Sequence, residues 1–296
     1  MKKTKRRAAM RRRWQGQLAL CLLSVLLLTG CARNAAEQQD QGTEQKTDSE
    51  LKVTFFDVGK GDAVLLESEG QAMLIDAGYD DTADVILDYL EAEEIQQLDY
   101  MIITHFDKDH VGGADKVLEA VEVRRVLQPD YESDSRQTEQ YLEALDAENI
   151  EPEKVTERME FALAEAGCTI YPPRQKDYEE KDNDFSLVLS LTFGEERFLF
   201  AGDCEKERLS ELMAEPELEL EHQVLKVPHH GREEKNSDKF LLAVSPEAAV
   251  ITCSEEEEPD KEILELLGQL GAEVYLTSEG TVTCVTDGSS LSFSQN

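Results

Sequence analysis

The sequence is short of basic residues, of long apolar runs and of closely spaced cysteine pairs, and each shortage excludes a class of protein. Lys and Arg number 30 against 64 Asp and Glu, which gives a formal net charge of −34 at pH 7. Such a chain repels anionic polymers at long range, which argues against a broad surface that follows nucleic-acid phosphates. The apolar run at residues 18–28 is shorter than a membrane-spanning helix requires. The six cysteines include no Cys-x-x-Cys pair, so a zinc ribbon is not expected.

The N-terminal segment has the pattern of a secreted lipoprotein. Eight Lys and Arg residues fall within residues 2–13, the apolar run follows, and Leu28-Thr29-Gly30-Cys31 resembles the lipobox of bacterial lipoproteins. The pattern predicts a signal peptide at residues 1–30 and lipidation of Cys31. The chain would then be anchored by lipid to the cell membrane and face outside the cytoplasm. An uncleaved N-terminal anchor is the alternative.

The composition changes twice along the rest of the chain. Residues 31–50 are rich in Gln, Glu, Asp, Thr and Ser and read as a disordered tether. Residues 51–296 suit one large α/β domain. Loss of the eight basic leader residues takes the net charge from −34 to −42. The cysteines of this domain lie within or beside apolar runs, so buried free thiols are expected, with a disulfide as the alternative. These cysteines are Cys168, Cys204, Cys253 and Cys284.

One short segment concentrates the chemistry. The apolar run at residues 100–103 reads as a buried strand, and it is followed by His105, Asp107, Asp109 and His110. The next residues are Gly112 and Gly113, which permit a tight turn into a helix at residues 114–120. Imidazole and carboxylate ligands in one loop after a strand predict a site for Zn²⁺, Mn²⁺ or Fe rather than for an ion that prefers oxygen alone.

The element pattern predicts two similar halves that meet near Glu165. In each half strands come first, and strands and helices then alternate. Two packed sheets with helices on both outer faces satisfy this order, which is an αββα four-layer sandwich of the α/β class.

The segment from His105 to His110 resembles the signature His-x-His-x-Asp-His of the metallo-β-lactamase superfamily. Asp107 replaces the middle His, as is common in the ComEC-related, competence-type branch. The resemblance extends over residues 52–293 through three further motifs: Leu74-Ile75-Asp76-Ala77-Gly78, Ala201-Gly202-Asp203 and Lys226-Val227-Pro228-His229-His230-Gly231.

The resemblance implies two divalent metal ions, Zn or Mn, and a set of ligands. These ligands are His105, Asp107, Asp109, His110 and Asp203. Asp203 would bridge the ions, although it is also placed to cap the helix predicted from residue 205. Asp76 would orient ligands from outside the first coordination sphere, with helix capping or a turn as the alternative.

Three further positions are implied around the metals. His229 and His230 border the centre, where either imidazole serves as a ligand or as a general acid, and the sequence does not separate the two roles. With Asp109 they are the expected catalytic residues. Asn183 and Ser186 match an Asn-x-x-Ser pattern of the branch and are expected to support the site or the substrate, with loop capping as the alternative for Asn183.

The chain departs from the branch at two places. A Gly-His-Pro segment is usual before the helix at residues 260–270, and here Glu258 stands where its His would be. A carboxylate there would be a harder metal ligand, and the alternative is an exposed acidic loop at residues 255–258. Arg232-Glu233-Glu234 also replaces the small hydroxyl residues that commonly follow His-His-Gly.

The expected function is a surface-anchored, metal-dependent hydrolase of the metallo-β-lactamase fold. Two cations would activate water and neutralise charge that develops on a phosphoryl or carbonyl group. The resemblance to the branch favours phosphodiester substrates, including nucleic acid, but the acidic surface disfavours long nucleic acids. A small-molecule or phosphodiester substrate is expected. The alternative is a non-catalytic, metal-stabilised binding lipoprotein that has lost a ligand.

Overall fold

The computed structural model describes residues 49–179 and 182–296. The predicted signal peptide, Cys31 and the predicted tether up to residue 48 lie outside the described residues. Ser49–Asn296 form one compact unit. Within the described ranges, no helix combines the length and the apolar character needed to cross a bilayer.

The strands form two sheets. The first has eight strands in the order β15-β14-β1-β2-β3-β4-β5-β6. Its members are β1 (Leu51–Phe55), β2 (Val64–Ser68), β3 (Gln71–Ile75), β4 (Gln97–Ile102), β5 (Glu122–Pro129), β6 (Glu153–Val155), β14 (Val282–Thr286) and β15 (Leu291–Gln295). The second has seven strands in the order β13-β12-β11-β10-β9-β8-β7. Its members are β7 (Met159–Leu163), β8 (Ala166–Tyr171), β9 (Val188–Phe193), β10 (Glu196–Phe200), β11 (Val224–Lys226), β12 (Ala248–Ile251) and β13 (Glu273–Leu276).

Helices connect the strands and cover the sheets. The α-helices are α1 (Ala83–Ala92), α2 (Lys108–Val111), α3 (Ala114–Ala120), α4 (Arg136–Glu148), α5 (Lys206–Met213), α6 (Ser237–Val244) and α7 (Lys261–Leu270). Short 3-10 helices occur at Asn183–Phe185, Pro228–Gly231 and Thr277–Glu279. In α4, Ser135 caps the N-terminus by accepting from the backbone N–H of Thr138, and Asn149 ends the helix in the left-handed conformation.

Both sheets change from antiparallel to parallel pairing partway across. β1, β2 and β3 pair antiparallel, whereas β3 to β6 pair in parallel. β8, β9 and β10 repeat the antiparallel part and β10 to β13 the parallel part. Because loops that follow parallel strands collect at one edge of a sheet, each half brings its loops to a common edge.

Three apolar clusters fill the layers. The central one joins side chains of the two sheets, for example Phe55 of β1 and Phe200 of β10, whose ring centroids lie 6.1 Å apart. A second packs the first sheet against α1, α3 and α4, and a third packs the second sheet against α5, α6 and α7. The layer order is therefore helices, sheet, sheet, helices, which confirms the predicted αββα sandwich.

The two halves are less separate than the sequence suggested. The second sheet begins at Met159, before Glu165, which lies in the turn between β7 and β8. β14 and β15 return to the first sheet, where β14 pairs with β1. The helix α2 and the short strand β6 were not predicted. Each is four residues or fewer, which is too short to show a hydrophobic period.

Candidate metal centre

Four buried side chains from both halves meet at the edge where the parallel strands end. They are Asp62, His110, Asp203 and His230, and one ligand atom from each lies within 4.8 Å of all the others. We call these residues the buried group. Asp62 lies in the loop between β1 and β2, His110 in α2, Asp203 just after β10 and His230 just after β11. The two sheets therefore supply two members each.

The loop after β4 turns directly into α2. The strand ends at Ile102 because the backbone N–H of Thr104 donates to the Asp76 carboxylate (2.8 Å) instead of to a strand neighbour. Gly112 and Gly113 form the turn between α2 and α3, as the sequence predicted, with φ angles of −58° and −90°. A Cβ on Gly113 would collide with the carbonyl oxygen of Ala77. Close packing within the turn, and not a left-handed conformation, therefore requires glycine at residue 113.

Asp76 fixes the orientation of His110. Its Oδ1 accepts from the Thr104 backbone, and its Oδ2 accepts from the Thr104 hydroxyl (2.6 Å) and from Nδ1 of His110 (2.8 Å). Because Nδ1 donates to a carboxylate, Nε2 of His110 is left to face Asp203 Oδ2 at 3.3 Å. The structure therefore places Asp76 beside a ligand candidate, in the orienting position that the resemblance implied, and does not place it at a helix N-terminus.

His230 is oriented in the same way from the second half. Its Nδ1 lies 2.9 Å from the Thr252 carbonyl oxygen, which only accepts, so Nδ1 carries the proton. Its Nε2 then faces Asp203 Oδ2 at 3.0 Å and Asp109 Oδ2 at 3.6 Å. Thr252 also donates its hydroxyl proton to Asp62 Oδ1 (2.5 Å), which ties the two halves together.

A buried lysine neutralises part of the group. Nζ of Lys226 contacts the Asp62 carboxylate, lies 3.5 Å from Asp203 Oδ1 and donates to the Gly202 carbonyl oxygen (3.1 Å). Burial acts to lower the pKa of Lys226, but Asp62 and Asp203 outweigh it and raise that pKa above its ordinary value. The ammonium group therefore stays charged, and it occupies one side of Asp203 while the imidazoles occupy the other.

Charges in the group shift its histidines in opposite directions. Burial lowers the pKa of His105 well below its usual range, and the neighbouring His110 lowers it further. For His110 burial acts in the same direction, but the carboxylates of Asp203, Asp62 and Asp76 outweigh it and raise the pKa well above its usual range. A metal ion bound at Nε2 of His110 would have to displace a proton.

Three imidazole nitrogens support a metal assignment. Nε2 of His105, His110 and His230 are all buried, and none makes a hydrogen bond of good geometry within the described residues. The ring centroids of His105 and His110 lie 4.0 Å apart, and those of His110 and His230 lie 5.4 Å apart. Buried nitrogens without hydrogen-bond partners, next to carboxylates, are the donors that a divalent transition metal uses. The residues present therefore fit a metal ion.

The remaining predicted ligands of the first half lie beside this group. Asp109 is buried, with Lys60 Nζ at 3.8 Å. Asp107 is only partly buried, and its Oδ2 lies 3.9 Å from His105 Nε2. Burial raises the pKa of Asp107 to about 6, and the nearby carboxylates of Asp182 and Asp109 add to the effect.

Ser186 and Asn183 hold the second-half loops. The Ser186 hydroxyl accepts from the backbone N–H of Asp203 (3.1 Å) and lies 3.4 Å from His105 Nδ1. Asn183 donates through Nδ2 to Glu205 Oε1 (2.6 Å). The helix α5 is capped by Asp184, which accepts from the backbone N–H groups of Glu205 and Arg208, so Asp203 is not its cap.

The prediction for Glu258 is corrected by its position. Glu258 is exposed, whereas the next residue, Pro259, is buried and lies against Gly231. Pro259 takes the inner position at this point of the loop, and Glu258 belongs to no group of metal-ligand geometry within the described residues.

The two adjacent histidines separate into different surroundings. His229 does not join the buried group: its Nδ1 lies 3.3 Å from Glu205 Oε1 and 3.4 Å from Glu234 Oε1. Glu205, His229 and Glu234 form a second set of ligand atoms within 4.8 Å of one another, which we call the outer group. Burial lowers the pKa of His229 to about 4.

Sequence reasoning missed Asp62, Lys226 and Thr252. Asp62 follows Gly-Lys-Gly, a composition typical of a turn, and its partner Thr252 lies 190 residues away. Lys226 offered a usable signal, because a charged residue inside an otherwise apolar strand is costly unless it is paired. All four cysteines of the described region are buried free thiols, so none forms a disulfide there.

The chain is similar to a known protein family and to curated relatives. The family model described as Metallo-beta-lactamase superfamily matches residues 56–254. The chain is 28% identical over 257 residues to ComE operon protein 3 of Bacillus subtilis (strain 168), which covers 79% of this chain and 33% of that protein. It is also 28% identical over 209 residues to Competence protein ComA of Neisseria gonorrhoeae, over 70% of this chain and 28% of that one. The chain thus spans about a third of these curated relatives or less.

Solved structures share the fold at low identity. The metallo-beta-lactamase fold protein YhfI from Bacillus subtilis aligns with a TM-score of 0.53 and 12% identity, over 78% of this chain and 96% of that one. At this identity the likeness shows the fold alone. The motifs and the curated relatives together support the competence-type branch.

Proposed function

The chain belongs to the metallo-beta-lactamase superfamily, a family of metal-dependent hydrolases, and we propose that it hydrolyses phosphodiester bonds at the edge where the two sheets meet. The observation that carries the proposal is the set of buried imidazole nitrogens without hydrogen-bond partners around Asp203. His105, Asp107, Asp109, His110, Asp203 and His230 would hold two divalent ions, Zn or Mn. Such ions lower the pKa of bound water and stabilise charge on a phosphoryl oxygen.

The chain's own residues prepare this centre. Asp76 and the Thr252 carbonyl hold His110 and His230 with Nε2 directed inward. Lys226 offsets part of the charge of Asp62 and Asp203, which lets these carboxylates lie close together. The surrounding apolar clusters exclude bulk water from one side, where electrostatic interactions are stronger.

We further propose that the protein works outside the cytoplasm, held to the membrane by lipid at Cys31. The support is the basic leader, the apolar run and Leu28-Thr29-Gly30-Cys31. The net charge of −34 favours small phosphodiesters over long nucleic acids as substrates. Cys31→Ser is expected to abolish labelling by radioactive fatty acid, and unchanged labelling would contradict the anchor.

The hydrolase is tested on bis(p-nitrophenyl) phosphate with the full chain loaded with Mn²⁺ or Zn²⁺. We expect turnover that Asp203→Asn lowers by about 10²-fold or more (~3 kcal/mol), since a ligand of the ions that would stabilise transition-state charge is lost. Asp99→Asn is the matched control, because Asp99 is a buried carboxylate of β4 that pairs with Arg124 of β5 and belongs to neither group.

A non-catalytic binding lipoprotein is the second candidate. The observation in its favour is Lys226, whose ammonium already occupies the space between Asp62 and Asp203. Metal binding in the wild type without turnover of any phosphodiester tested would favour this candidate over the hydrolase.

A further inference from the structure

The outer group has the composition of a second metal site. It contains one imidazole and two carboxylates, with His229 Nδ1 at 3.3 Å from Glu205 and 3.4 Å from Glu234. Glu234 is one of the residues by which this chain departs from the branch it resembles. The group therefore joins one residue of the shared motif, His229, to a residue by which this chain departs from the branch.

The backbone at His229 and His230 separates the two rings. His229 has φ 46° and ψ 48°, and His230 has φ 53° and ψ 27°, so both adopt the left-handed conformation. This conformation costs about 1–3 kcal/mol for each non-glycine residue and persists only where the surroundings impose it. It places the ring centroids 6.2 Å apart, with one imidazole in each group.

Two polar atoms at the outer group lack hydrogen-bond partners. Nδ1 of His229 is buried and makes no hydrogen bond of good geometry, although two carboxylates are near. Asn183 donates through Nδ2 to Glu205, and its Oδ1 is buried without a hydrogen bond among the described residues. A nitrogen lone pair and an amide oxygen left in this state are both suitable metal ligands.

We propose that Glu205, His229 and Glu234 bind a divalent cation, separate from the buried group and beside the Asn183 amide. One imidazole with two carboxylates suits Zn²⁺, Mn²⁺ or Fe²⁺. The side chains keep 11%, 13% and 24% of their surface exposed, so the ion exchanges with solvent more readily than one held by the buried group. A cation here gives an acidic protein a local positive charge next to its catalytic edge.

The test is a count of Mn²⁺ ions bound by the full chain, measured by electron paramagnetic resonance of free Mn²⁺ during a titration. We compare the wild type with Glu234→Gln and with Glu233→Gln, an exposed neighbour of the same charge. Wild type and Glu233→Gln are expected to bind one ion per chain more than Glu234→Gln. Because no hydrolysis is measured, the result is separate from the proposed activity.

Two further variants make the test decisive. His229→Gln must lose the same ion as Glu234→Gln, whereas His110→Ala must lose an ion of the buried group and keep the one that depends on Glu234. Equal ion counts and affinities in Glu234→Gln and Glu233→Gln, or an unchanged count in His229→Gln, overturn the proposal. In that case the outer group is a polar cluster that binds no metal.

Discussion

The buried group and the outer group contain adjacent histidines, yet they differ in burial and in how their charges are stabilised. His230 is buried among carboxylates whose charge Lys226 partly neutralises, and Thr252 fixes its orientation. His229 remains partly exposed, and the contact that organises its group is the Asn183 amide on Glu205. Deep burial of charge requires partners within the protein, whereas a partly exposed group can use solvent or an ion. Four changes test this difference.

The largest effect is expected at Lys226. Lys226→Met keeps the length of the side chain and removes the cation between Asp62 and Asp203, which leaves two buried carboxylates uncompensated. We expect a loss of about 3–5 kcal/mol in the free energy of unfolding, measured by urea denaturation in chelator. Added Mn²⁺ should restore more stability to the variant than to the wild type. A loss below ~1 kcal/mol in chelator would mean that the buried group does not depend on its internal cation.

His222, a buried histidine outside both groups, is expected to make the free energy of unfolding depend on pH. His222 contacts the Leu220 carbonyl oxygen through Nδ1 (2.9 Å) and Ser190 through Nε2 (2.8 Å), and burial lowers its pKa from 6.5 to about 4. The unfolded chain therefore binds the proton more tightly than the folded one. The stability that neutral His222 contributes is present above pH 6.5 and is lost as the pH falls through 4, by up to ~3 kcal/mol. His222→Gln should reduce the pH dependence of the free energy of unfolding in this range, and an identical dependence would contradict the assignment.

Asp76 tests how much orientation contributes to metal binding. Asp76→Asn is suitable because Asp76 has φ 56°, a conformation that Asn also tolerates. The amide cannot accept from both Thr104 and His110 as the carboxylate does, so His110 loses its fixed orientation. We expect metal affinity to fall about 10–100-fold, measured by competition with a chelating dye. Asp99→Asn should leave the affinity unchanged, and equal losses in both variants would show a general effect of stability.

The smallest effect is expected at Glu258. Because Glu258 is exposed and belongs to neither group, Glu258→Ala should change the free energy of unfolding by less than ~0.5 kcal/mol. The number of bound Mn²⁺ ions should also stay the same, counted as for Glu234→Gln. Loss of an ion in Glu258→Ala would restore this residue as a ligand and contradict the position found for it.

What the sequence could predict depended on how the residues are spaced. His105, Asp107, Asp109 and His110 lie within six residues after one strand, so the pattern was visible without any tertiary information. The layered fold was predictable for the same reason, because strands and helices repeat in order. Glu258 was misplaced because a position before Pro does not determine which way the side chain points.

Other members of the site are defined only by the fold. Asp62 comes from a loop of the first sheet and Lys226 from a strand of the second, and they meet because the two parallel edges face each other. His229 and His230 enter different groups because both adopt a left-handed backbone conformation. This conformation can be predicted from sequence for Gly or Asn, but not for His. No local period or motif encodes either fact.

The pairing of β1 with β14 bears on how the chain acquires its structure. Leu51 lies opposite Thr286 and Phe55 opposite Val282. A strand near the start of the domain therefore pairs with residues that are synthesised more than 220 positions later. Contacts so distant in sequence slow folding, because the entropy of closing the loop is lost before the contact forms. Until β14 arrives, β1 presents unpaired backbone groups along an apolar edge, which invites pairing with another chain. A nascent or truncated protein that lacks its last two strands should therefore aggregate rather than fold.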